Sequence, residues 1–156
     1  LSHHARDGSV TEMPAYYRSL IEDAGAIAWC HPDLRPFLTR EYRRLAFARD
    51  VAPVTAAGEA IDPHSVLSAA FNRPAGEVTL RPLWWGADAE ANLREHVRVL
   101  RQEGLNDLFF ELDLGRAWQG HFAPALLATG FRPRVILPHA GHGDLLVFQY
   151  GDGATP

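Results

Sequence analysis

Between Glu77 and Leu114 the sequence changes its hydrophobic period twice, and that change limits the folds open to the chain. Glu77 to Leu83 is an apolar run bounded by turn residues, as a strand is. From Asp88, a residue suited to an N-cap, Leu93, Val97 and Leu100 share a helical face with His96 beside them, and Gly104 offers the stop. Asp107 to Leu114 then carries Leu108, Phe109, Phe110 and Leu112, the composition of a buried parallel strand. Strand, helix, strand in that order implies a right-handed crossover, so the chain is read as an α/β fold.

The flanking segments extend this unit. Ser65 to Phe71 is a second apolar run, and Asn72-Arg73-Pro74-Ala75-Gly76 between it and Glu77 makes the two an antiparallel hairpin. A further helix is expected from about Arg116 to Thr129, stopped by Gly130. Strands Arg132 to Leu137 and Leu145 to Tyr150 then flank a short loop. Ahead of the hairpin, Met13 to Ala48 reads as two helices. The first opens at Pro14 with Tyr17, Leu20, Ile21 and Ala24 in register and ends at Gly25. The second starts near Pro32 or Asp33 and gathers Phe37, Leu38, Tyr42, Leu45 and Ala46 on one stripe, with Arg40, Arg43, Arg44 and Arg49 as a solvated face. Val51 to Pro63 reads as a loop. Residues 1–12, with His3 and His4, are expected to be a flexible start. Residues 13–156 then form one domain, with a helical front (13–50) and an α/β core (64–150).

Composition narrows the function. All 15 basic residues are Arg, and without a Lys neither Schiff-base chemistry nor a Walker phosphate loop can operate. The formal charge of -4 leaves no basic excess for nucleic acid. No apolar run approaches the ~18 residues of a membrane helix. The single Cys30 cannot form an internal disulfide, which fits a reducing cytoplasm. His139, His142 and Asp144 have the composition of a metal cluster, but their loop with Gly141 and Gly143 is explained by a tight hairpin, and no metal is expected.

The order hairpin, helix, strand, helix, strand, strand over Ser65 to Tyr150, with Gly130-Phe131 after the last helix, resembles the core of the GNAT acyltransferase superfamily. A narrower likeness is to the divergent GNAT-like domains that accompany anti-sigma-factor-type ATPases in bacterial regulators. It is carried by Gly86-Ala87-Asp88, Glu111-Leu112-Asp113, Pro138, Gly143-Asp144 and Gln149-Tyr150. The resemblance implies a mixed central sheet with flanking helices, here preceded by the two N-terminal helices.

It also implies where an acyl-CoA would bind. GNAT enzymes hold the CoA pyrophosphate on backbone N–H groups at the start of the helix after their fourth strand, which is the segment Trp84, Trp85, Gly86 and Ala87 here, and small residues are needed there. Asp88 and Glu90 stand where two of those small residues belong. At ~4 Å each like-charge contact costs about 1 kcal/mol in water and roughly 4 at an effective dielectric of 20. Leu126 stands where such enzymes often place a Tyr acid, leaving His121 as substitute. Glu111 and Asp113 project to one side near a strand's carboxyl end, where a general base acting on an amine could sit, although pairing with Arg116 explains them equally. Trp84 and Trp85 beside Arg81 could form a binding platform or pack inward.

The expected function is therefore a ligand-sensing or protein-interaction module with a degenerate donor loop and no cofactor, taking a small molecule, a partner protein or its own copy. The alternative is an N-acyltransferase using acetyl-CoA or another acyl-CoA in an atypical donor site.

Overall fold

A computed structural model describes residues 1–4, 8–20, 22–55 and 61–151. Its centre is a five-stranded mixed sheet of β5 (Val66–Asn72), β6 (Glu77–Trp84), β7 (Asp107–Asp113), β8 (Phe131–Leu137) and β9 (Leu145–Tyr150), in the order β5-β6-β7-β9-β8. Here the sequence reading holds closely. The pair β5–β6 is an antiparallel hairpin, and helix α2 (Ala89–Gln102) carries the chain from β6 to a parallel β7. The expected long helix after β7 is divided into a 3₁₀ segment, Ala117–Phe122, and helix α3 (Ala123–Thr129), with Pro124 in the first turn of α3.

Helices α2 and α3 pack on one another and bury Leu93, Val97, Leu100 and Leu126 in the cluster that holds Val78, Leu80, Leu108, Phe110, Leu112 and Phe148 of the sheet. By strand alternation the opposite face carries Thr79, Arg81, Phe109, Glu111 and Asp113. One face is thus core, and the other bears most of the chemistry.

The front differs from expectation. Residues 13–20 and 22–25 are neither helix nor strand, and Leu20 is 89% exposed. Ile21 lies outside the described residues. A helix of about eleven residues is marginal alone in water, and a stripe whose Leu20 and Ala24 meet solvent gains too little packing to sustain it. In its place a β-α-β unit forms. Strand β3 (Ala26–Cys30) leads into a 3₁₀ turn, Pro32–Leu34, and helix α1 (Arg35–Leu45), and β4 (Arg49–Pro53) returns parallel to β3. Ala28, Cys30, Leu34, Leu38 and Tyr42 join the central core. The Trp29 N–H donates to the Leu114 carbonyl at 2.8 Å, tying β3 to the end of β7.

Among the described residues of the first twelve, two short strands form. Strand β1 (Ser2–His4) pairs antiparallel with β2 (Val10–Glu12). Gln149 fastens it, accepting from the Ser2 N–H at 3.1 Å and donating to its carbonyl at 2.6 Å. No described helix is long and apolar enough to cross a membrane.

Candidate functional site

The turn from β6 into α2 is where the resemblance puts the pyrophosphate. Its polar groups are already engaged by the segment Asp62–Ser65, which crosses directly over it. The Ala87 N–H donates to the Asp62 carbonyl at 2.7 Å, and the Asp88 N–H to that of Pro63 at 3.3 Å. A Cβ on Gly86 would lie 2.2 Å from the His64 carbonyl carbon, so glycine here admits the chain's own backbone.

Asp88 stands at the N-cap of α2, but its carboxylate makes no capping bond to the helix. It turns to the crossing segment instead. Oδ1 accepts from the Ser65 N–H at 2.6 Å and the Ser65 hydroxyl at 2.7 Å, and Oδ2 lies 3.2 Å from His64 Nδ1. Ser65 is buried and its N–H needs a partner, which outweighs a cap that solvent could replace. Burial pushes the Asp88 carboxyl up, but the Ser65 bonds outweigh it and hold the group below its ordinary range. Asn92 completes the clasp, donating to the Ser65 carbonyl at 3.0 Å. Glu90 pairs with Arg94 on the helix surface at 2.6 Å.

Trp84 and Trp85 part company, as neighbours at a strand end do. Trp84 is 57% exposed and donates from Nε1 to Asp62 at 3.0 Å. Trp85 packs against the core and meets the His121 ring at 4.6 Å between centroids. Burial, with His31 nearby, holds the His121 imidazole below its ordinary value, so at pH 7 it is neutral. Neither His121 nor Trp85 lines the cleft that holds Glu111 and Asp113, and Leu126 is fully buried.

Glu111 and Asp113 do share a cleft. Parallel pairing of β6 with β7 stops at Leu80↔Phe110, although β6 continues to Trp84 and β7 to Asp113. A cleft of about 410 Å³ opens on the polar face of these ends, lined by Ser68, Arg81, Leu83, Glu111, Asp113, Arg116, Trp118 and Gln119 among others. Arg81 Nε donates to Glu111 Oε2 at 2.6 Å. Asp113 is a clamp: Oδ1 accepts the N–H groups of Gly115 and Gly143, each at 3.0 Å, and Oδ2 that of His142 at 2.8 Å. Gln119 accepts the Asp113 N–H at 2.7 Å. Arg116 reaches both Asp113, at 3.5 Å, and the His142 ring. Glu111 is therefore the carboxylate most available to a ligand. Trp118 and Gln119 escaped sequence reasoning, since nothing in a helix-like run marks which side chains turn back to the sheet.

Arg49 is not a solvated-face residue. Its side chain is 1% exposed, bonded to Asp144 at 2.8 Å and Asp23 at 2.6 Å, with the guanidinium over the Phe47 ring. Burial works against its charge, but the Asp144 and Asp23 bonds outweigh that and raise its pKa. Asp144, with His139 N–H at 2.9 Å, thus fastens the β8–β9 loop to β4.

No family model and no curated protein matches this chain.

Proposed function

We propose that the chain is a divergent GNAT-like domain that has closed its acyl-CoA pyrophosphate loop with its own backbone and serves as a ligand-sensing module. One observation carries this reading: the Ala87 and Asp88 N–H groups, which a GNAT enzyme would turn to pyrophosphate, are bonded to the carbonyls of Asp62 and Pro63. An incoming CoA would have to displace both bonds and then meet the Asp88 carboxylate. The cleft between the parting strands is the ligand site of this reading. Glu111 suits an amino group, Arg116 an anionic group and Trp118 a flat apolar part, so the ligand class is a small zwitterionic molecule. A protein-interaction role has support in exposed Val66, Leu83 and Trp84 around the β5–β6 edge, where Val66 and Trp84 are cross-strand partners.

Isothermal calorimetry with acetyl-CoA and with free CoA tests the proposal. No binding up to millimolar ligand is expected. Micromolar binding would favour the acyltransferase reading, with Glu111 as base.

A further inference from the structure

We propose that the amino-terminal end of the β6–β7 pair is a divalent transition-metal site suited to zinc, with His3 Nδ1, Glu77 Oε1 and Asp107 Oδ2 as ligands and water in the fourth position. Glu77 and Asp107 open adjacent parallel strands and stand directly opposite one another. The Asp107 side chain is 1% exposed. A buried carboxylate beside a second one requires positive charge close by. Among the described residues, the only basic groups paired with either are the imidazoles of His3 and His4. A bound dication would balance the two carboxylates directly.

The donors lie close enough to gather around one ion once the direct His3–Glu77 contact opens to admit it. The three donor atoms lie within 4.8 Å of one another. Tetrahedral zinc at its usual bond lengths wants its ligands roughly 3.4 Å apart. His3 Nδ1 is 3.8 Å from Asp107 Oδ2 and in direct contact with Glu77 Oε1. Each carboxylate has its other oxygen held by a neighbour, as metal ligands commonly do. Asn72 donates to Glu77 Oε2 at 3.1 Å, and His4 Nδ1 lies 2.5 Å from Asp107 Oδ1. The histidines are placed by bonds of β1, including the His4 N–H to Asp107 Oδ2 itself at 2.8 Å, which leaves that oxygen a second lone pair for the metal, and the buried Ser2–Gln149 pair. Imidazole with carboxylates favours zinc over calcium or magnesium, which prefer oxygen ligands. The site lies at the opposite end of the strands from the cleft and is independent of the function proposed for it.

The test titrates the whole chain, stripped with EDTA, with zinc chloride in a calorimeter and with cobalt chloride by visible absorption. Expected are one equivalent bound with micromolar affinity and the intense spectrum of tetrahedral cobalt. Removing a ligand in His3→Ala, or neutralising one in the near-isosteric Glu77→Gln, weakens binding at least ~10-fold, and His4→Ala about 10-fold through the outer shell. The exposed-histidine control His139→Ala leaves affinity unchanged. Absence of saturable binding below millimolar metal, or affinity that His3→Ala and Glu77→Gln leave intact, overturns the proposal.

Discussion

At their carboxyl ends β6 and β7 carry Arg81, Glu111 and Asp113; at their amino ends they carry Glu77 and Asp107 with no described arginine against them. The carboxyl end closes its charge within the chain. Glu111 has Arg81, and Asp113 has three backbone N–H groups and Arg116. At the amino end, among the described residues, only two imidazoles stand against the carboxylates. The same pair of strands is thus electrostatically complete at one end and open to a cation at the other. A charge-balanced cleft suits a ligand bearing both signs, whereas an unbalanced carboxylate pair suits a dication.

The strongest blow to this contrast is Asp113→Ala, which removes the acceptor of three backbone N–H groups at once, two in the β8–β9 loop and one at Gly115. Urea unfolding should show a loss of about 2 kcal/mol, since partly buried N–H groups left unpaired keep part of their desolvation cost. Next is Gly86→Ala, which pushes a Cβ into the backbone at His64 and should lower stability by about 2 kcal/mol in the same assay. Glu77→Gln and Glu111→Gln sharpen the comparison by sign. In metal-free protein at pH 8, neutralising Glu77 relieves Asp107 and raises the unfolding midpoint, while neutralising Glu111 costs its pair with Arg81 and lowers it, each by less than about 1 kcal/mol.

The smallest effect concerns His121. Its folded pKa lies below its unfolded value, so between the two the unfolded chain binds more protons. Stability from this group is complete above its ordinary value of 6.5 and falls as pH drops from 7 toward 5. His121→Phe should flatten that slope, which thermal melts across the range would register.

The back half was legible because its elements announce themselves locally. The helical face of Leu93, Val97 and Leu100 and the apolar strand Leu108–Leu112 are both buried as their periods required. The front was not, because β3 and β4 are five-residue strands that gain their stability from a nonlocal parallel partner. Ala26 to Cys30 is an unbroken apolar run after Gly25, and that was the available signal. The stripe from Tyr17 to Ala24 had helical spacing, but Leu20 and Ala24 meet solvent and only Tyr17 finds a ring, Phe47, which periodicity alone does not reveal. At the site, alternation along β7 put Glu111 and Asp113 on one side, and both line the cleft. Their engagement with Arg81 and with the N–H groups of residues 142 and 143 depends on tertiary closure. Likewise, the acidic residue at position 88 was visible, but its partner Ser65 was not.

In the proposed reading, the turn from β6 into α2 is filled by the chain's own backbone, and the amide resonances of Ala87 and Asp88 report on it directly. In ¹⁵N-labelled protein both amides should exchange slowly with solvent and keep their chemical shifts as acetyl-CoA is added to millimolar concentration. Saturable movement of both resonances at micromolar acetyl-CoA would mean that the crossing segment yields to the cofactor, and would contradict the account.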